Sequence, residues 1–83
     1  MLVDIYMNKF KCNEGYYVMV LKIPEKMLYS AYDNVDDNAI YEFVASYLSY
    51  INEEGKPRNI SISKLKDNSF VVEMELIYYD LTI

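Results

Sequence analysis

Two segments of this chain, residues 16–23 and 70–79, are apolar on both faces of an extended strand. Side chains of a strand alternate between its two faces. In the first segment, one face carries Tyr17, Met19, Leu21 and Ile23, and the other carries Tyr16, Val18 and Val20. In the second segment, one face carries Phe70, Val72, Met74, Leu76 and Tyr78. The other face carries Val71, Ile77 and Tyr79 together with Glu73 and Glu75. Since one long helix covers only one side of a small sheet, the other side is expected to meet another molecule.

The long helix is predicted over residues 37–54. Its apolar positions recur at offsets of three and four, which places them on one stripe: Ile40, Phe43, Val44, Tyr47, Leu48 and Ile51. Asp36 is a good N-cap, because its carboxylate accepts from free amides of the first turn. Gly55 is expected to end the helix in the left-handed conformation, and Pro57 prevents its continuation.

Two hairpins flank this helix. Their strands are predicted at residues 2–12, 16–23, 59–65 and 70–79. Gly15 supplies the positive φ angle of a three-residue hairpin loop, and Asp67-Asn68 forms a tight turn between the last two strands. The first strand is expected to be an edge strand with one wet face, and lysines at its end are expected to discourage pairing with a further strand. Pro24 favours a short helical turn over residues 24–32.

The predicted fold is therefore a single α+β domain, residues 1–83, with the order β-β-α-β-β. Four antiparallel strands form one sheet, and the long helix packs on one face. The sequence does not choose the strand order. It also leaves open whether residues 24–34 or the tail at 81–83 fold over the second face.

Charge and cysteine content bear on partners and location. The net charge is −5, and the basic residues are scattered, which disfavours direct binding to nucleic acid. A weaker nucleic-acid alternative uses Lys56, Arg58, Lys64 and Lys66. The single cysteine excludes an internal disulfide framework and fits a reducing compartment. With no long apolar run, the chain is expected to be cytoplasmic, or in the host cytoplasm if a virus encodes it.

No motif indicates catalysis, and no cofactor or metal is expected. The chain has no histidine, the usual general base near neutral pH. The acidic cluster at residues 33–42 does not match a calcium-binding loop, because Asn38 stands where the glycine is required. Cys12 is interpreted as a small hairpin residue rather than a nucleophile.

These observations favour a small acidic protein-interaction module that acts as a regulator or inhibitor, encoded by a virus or mobile element in one version. Its sheet-face site is predicted to comprise Tyr16, Val18, Val20, Val71, Ile77 and Tyr79. Its acidic surface is predicted to comprise Asp33, Asp36, Asp37, Glu42, Glu53 and Glu54. The alternative is a homo-oligomer, most simply a homodimer, that buries the same sheet face across a two-fold axis.

Overall fold

The computed structural model describes residues 5–12 and 15–78 of the chain. In chain order its elements are β1 (Tyr6–Lys11), β2 (Tyr17–Ile23), α1 (Glu25–Ala31), α2 (Asp37–Tyr50), β3 (Lys56–Lys64) and β4 (Phe70–Ile77). The α+β prediction is confirmed, with four strands in one sheet and the two helices between the hairpins.

The sheet has the strand order β1-β2-β4-β3, and every neighbouring pair is antiparallel. The two strands that are apolar on both faces, β2 and β4, are its central strands. In each hairpin connection a described residue takes a positive φ: Gly15 at 88° and Asn68 at 67°. Gly15 N–H donates to the Cys12 carbonyl, as Asn68 N–H donates to that of Leu65. The expected role of Gly15 is confirmed.

The α2 helix begins as predicted, because Asp36 Oδ1 accepts from the Ala39 amide at 2.9 Å. Its end differs from the prediction. Asn52, not Gly55, takes the left-handed conformation, with φ 59°. The Glu53 amide then donates to the Leu48 carbonyl at 2.8 Å and closes the helix. Asparagine tolerates this conformation better than other non-glycine residues, so the helix ends before the glycine.

Both helices pack on the same side of the sheet. The apolar stripe of α2 is buried against β2 and β4, and Leu28 of α1 is fully buried in that same core. Tyr32, just after α1, also packs against it. The segment 24–34 therefore does not cover the second face, which removes one of the two alternatives. The tail at 81–83 lies outside the described residues.

The strand β3 is longer than predicted and starts before Pro57. Its pairing with β4 is interrupted by a bulge between Arg58 and Ser61. Asn59 in the bulge has φ 52°. Proline and a bulge are both features of edge strands, where they lose no essential ladder hydrogen bond. The predicted residues 2–4 of the first strand and Tyr79 of the last are outside the described part.

Gly55 is required for close packing rather than for a left-handed turn. A Cβ atom there would lie 2.9 Å from Tyr78 Cζ, 3.0 Å from Leu76 Cβ and 3.1 Å from Glu53 Oε2. We therefore expect Gly55→Ala to lower the free energy of unfolding by about 1–3 kcal/mol, measured by urea denaturation. Glu54→Ala is the control, since this neighbouring side chain is exposed and the change adds no atom beneath Tyr78. Equal stability of Gly55→Ala and the wild type would contradict this packing role.

Candidate functional site

The face of the sheet that points away from both helices is the candidate site, named here the open sheet face. The pairing register arranges its side chains in rows that cross β1, β2, β4 and β3 in turn. Three of these rows are Tyr6–Lys22–Val71–Ser63, Asn8–Val20–Glu73–Ser61 and Phe10–Val18–Glu75–Arg58. Tyr16 and Ile77 lie at the end of the face beyond the third row.

The half of this face formed by β1 and β2 is apolar and aromatic. Tyr6 is 62% exposed and Phe10 is 47% exposed. Val18 is only 9% exposed, because the side chains of its own face crowd around it, with Phe10 on one side and Glu75 on the other. Val20 stays half-buried. Neighbouring side chains therefore cover the centre of the face in part, while its β1 margin remains open to solvent.

The half formed by β4 and β3 carries more polar side chains, and one of its two carboxylates, Glu75, is paired. Glu75 Oε1 accepts from Arg58 Nε at 2.8 Å and from Asn59 Nδ2 at 3.0 Å. The Arg58 guanidinium lies 5.5 Å from the centre of the Tyr16 ring. A shallow depression of about 350 Å³ opens here and is lined by Tyr16, Val18, Asn59, Ser61, Glu73, Met74 and Glu75.

An ion pair marks the opposite end of the face. Lys22 Nζ lies 3.4 Å from Asp67 Oδ2. The Ser69 hydroxyl and amide both donate to Asp67 Oδ1, the amide at 3.0 Å. These two hydrogen bonds, with the Lys22 contact, lower the pKa of Asp67 to about 2. The carboxylate is therefore ionised at any physiological pH, and the apolar centre lies between charged groups that are already paired.

The structure brings together the sheet-face residues proposed from the sequence, apart from Tyr79, which lies outside the described residues. Sequence reasoning missed Tyr6 and Phe10, because β1 was expected to carry one wet face. Alternation along β1 did place both residues on one face. Which face that was, and its continuity with Val18 and Val20, depends on the strand order and register.

The acidic residues proposed as a second site form two groups rather than one. Asp33, Asp36 and Asp37 are exposed at the start of α2, with Glu42 one turn further on. Glu53 and Glu54 follow the other end of this helix, which spans about 21 Å for its 14 residues. Asp36 also caps the helix.

Glu53 is a structural residue in the described chain. Its side chain is 7% exposed and forms a 2.8 Å ion pair with Lys9 Nζ. Glu53 Oε2 accepts from the Gly55 amide at 2.9 Å and from the Tyr78 hydroxyl. Lys9 Nζ also lies 4.9 Å from the centre of the Tyr17 ring and 5.0 Å from that of Tyr78. This cluster ties β1, β4 and the α2–β3 connection together on the helix side of the sheet.

The two charged members of the cluster stabilise each other's ionised form. Burial by itself would raise the pKa of Glu53, but hydrogen bonds from Lys9, Tyr78 and Gly55 outweigh it and lower the pKa. Burial would lower the pKa of Lys9, yet its hydrogen bonds with Glu53 and Tyr78 raise it. Burial and the hydrogen bond to Glu53 raise the pKa of Tyr78. The cluster is therefore an ion pair with a neutral tyrosine at neutral pH.

The described residues contain no group of three or more Cys, Asp or Glu side chains placed to hold a metal ion. Cys12 is a half-buried free thiol at the first hairpin. Of the basic residues proposed for nucleic acid, Arg58 pairs with Glu75, and Lys64 Nζ lies 3.1 Å from Glu25 Oε2. No helix among the described residues is both long and apolar enough to cross a bilayer.

Comparison of the chain with models of protein families, with curated proteins and with solved structures finds no match. The site is therefore interpreted from its own geometry.

The Glu53 cluster predicts a pH dependence of stability. A carboxyl whose pKa is lowered on folding contributes stability above its unfolded pKa, ordinarily 4.5, and loses it as the pH falls through the folded value. We expect Glu53→Gln to be less stable than the wild type at pH 7, with the difference shrinking steadily below pH 4.5. Urea denaturation at pH 7, 5 and 3 measures it. Glu54→Gln, at the exposed neighbouring position, is the control, and a difference that is constant with pH would contradict the ionised cluster.

Proposed function

We propose that this chain is a small protein-binding module, a regulator or inhibitor, that acts by seating its open sheet face on a protein partner. The observation that supports this proposal most strongly is that both helices lie on one side of the sheet, while Tyr6 and Phe10 stay exposed on the other. Covering the remaining exposed part of each aromatic ring would contribute about 1 kcal/mol. Tyrosine and phenylalanine are enriched in the centres of protein interfaces.

The charge pattern supports a protein rather than a nucleic acid as the partner. The net charge is −5, and Arg58 and Lys64 already pair with carboxylates of this chain. The exposed acids at the start of α2 add to the net negative charge, which favours the approach of a partner with a basic surface. We place the protein in the cytoplasm, because its one cysteine fits a reducing compartment.

A homo-oligomer through the same face is the second candidate. It is supported by the same exposed aromatics, since an isologous pair of faces would bury them equally well. The two candidates differ in solution. If the protein self-associates through the face, a charge placed at Val20 lowers the molar mass of the pure protein. If the partner is a different protein, the same change leaves that molar mass unaltered.

Paired variants test the proposal. Val20 lies at the centre of the open sheet face and is half-buried, so Val20→Glu places a charge in the interface. Glu73 stands directly opposite, so the change costs the fold about 1–3 kcal/mol, and folding of the variant is checked by circular dichroism. We expect it to weaken partner binding at least about tenfold, because a buried unpaired charge is costly. The immobilised wild type and the variant are compared by capture from the native cells with mass spectrometry, then by calorimetry with the purified partner.

Tyr50→Glu is the matched control, since it adds the same charge at an exposed tyrosine of α2 on the other side of the molecule. It should bind like the wild type. If Val20→Glu captures the same proteins with unchanged affinity, the open sheet face is not the binding site.

A further inference from the structure

The two edges of the sheet differ in how they are protected. At the β3 edge, Pro57 removes one backbone donor and the bulge at Asn59 breaks the regular ladder. Natural sheets use both devices to prevent pairing with another strand. Among the described residues the β1 edge has neither proline nor bulge, and it pairs with β2 in unbroken register from Tyr6 to Lys11. Its protection is limited to charge, on Lys9 and Lys11, and Lys9 is already paired with Glu53. All six of its residues are exposed.

The hairpin fixes which backbone groups of β1 are free. Cys12 N–H donates to the Tyr16 carbonyl at 2.8 Å, so residues 12 and 16 are a hydrogen-bonded pair. Hydrogen-bonded and non-hydrogen-bonded pairs alternate along an antiparallel ladder. The backbone groups of Tyr6, Asn8 and Phe10 therefore point towards β2. Those of Met7, Lys9 and Lys11 point away from the sheet. In the described part of the chain no strand pairs with them, so they offer a row of donors and acceptors to another strand.

We propose that a second copy of this chain pairs with this edge, β1 against β1 in antiparallel orientation about a two-fold axis at Asn8. The result is one continuous eight-stranded sheet. In this register, Met7 forms the hydrogen-bonded pair with Lys9 of the second copy, and Tyr6 stands opposite Phe10 of the second copy. The latter is a non-hydrogen-bonded pair, whose side chains approach most closely, and aromatic pairs of this kind stabilise sheets.

The positions of the charged side chains favour this register and favour a second copy of the chain as the pairing strand. Shifting the axis by one residue, to Lys9, would set two Lys9 side chains directly opposite each other, which is unfavourable. With the axis at Asn8, Lys9 faces Met7 and Lys11 faces Ile5. Lys9 is already neutralised by Glu53 within its own chain, at 2.8 Å. The strand is therefore self-complementary, with two aromatic pairs on the open sheet face and no like charges opposed.

Pairing of β1 with β1 uses the edge of the sheet, whereas the proposed function uses its open face. The pairing determines how two open sheet faces are arranged when a partner binds. Pairing through β1 joins the apolar margins of two open sheet faces, so Tyr6 and Phe10 of both copies form one central strip. A partner would then contact a surface with two-fold symmetry.

Engineered cysteines test the register directly, with Cys12→Ser as the background of every variant. Cα atoms of a non-hydrogen-bonded pair are about 4.5 Å apart, within the range of a disulfide. Asn8→Cys should therefore form a disulfide-linked dimer on oxidation with diamide. Phe10→Cys is the control on the same face. Its two copies would be about 13 Å apart, four residues along the strand, and cannot link directly.

We expect Asn8→Cys to link at least about tenfold faster than Phe10→Cys, because pairing holds its thiols at high effective concentration. The double variant Tyr6→Cys/Phe10→Cys should also link. Equal rates for Asn8→Cys and Phe10→Cys would overturn the register.

Removing a free-edge donor tests the pairing itself. The Met7 N–H points away from β2, so Met7→Pro deletes it without losing a bond of the monomer, whereas Met7→Val keeps it. We expect the wild type and Met7→Val to show the dimer mass by light scattering and Met7→Pro the monomer mass, with folding of each variant checked by circular dichroism. A monomeric wild type at ~1 mM, or a Met7→Pro dimer, would refute edge pairing. Val20→Glu should still cross-link through Asn8→Cys, so failure of the face and failure of the edge give different results.

Discussion

The structure depends on one constraint: a sheet has two faces, and this chain supplies helices to only one of them. The stripe of α2 and Leu28 of α1 close the core against β2 and β4. Both helices sit in the connection between the hairpins, and in the described residues they share one side of the sheet. Among the described residues, the opposite face is therefore stabilised by its own side chains or by contact with another molecule.

The open sheet face shows how far its own side chains succeed. Val18 is nearly buried by its row neighbours, and Glu75 is neutralised by Arg58 and Asn59. Exposed ion pairs of this kind contribute little net stability, usually less than about 1 kcal/mol. The pair with Arg58 does neutralise Glu75. The most exposed apolar side chains of the face lie at its β1 margin, in Tyr6 and Phe10.

Local features were predictable from the sequence because they depend on neighbouring residues. Asp36 caps α2, Gly15 takes its positive φ, and the two-faced apolar segments are β2 and β4. The end of α2 was predicted wrongly because two residues were able to end it: Asn52 comes first, and Gly55 has a different task beneath Tyr78.

Features that need the strand order were beyond reach of the sequence. The Lys9–Glu53 pair joins residues far apart in the chain, and Glu53 was therefore assigned to an exposed acidic surface although it is nearly buried. Tyr6 and Phe10 were overlooked for the same reason. A strand read alone shows which side chains share a face, but the register with β2 decides that this face adjoins Val18 and Val20.

The exposed aromatics and the unprotected edge belong to the same strand, and this coincidence has a physical consequence. A partner that covered only the face would leave the outward groups of Met7, Lys9 and Lys11 to water, at little cost because water satisfies them. A strand added at the edge satisfies them and also packs against Tyr6 and Phe10 from the side. Main-chain pairing supplies the hydrogen bonds between the two strands, and the contacts of the aromatic rings favour one register over the others. The β3 edge, with Pro57 and its bulge, offers neither contribution, so association through the sheet is directed to β1.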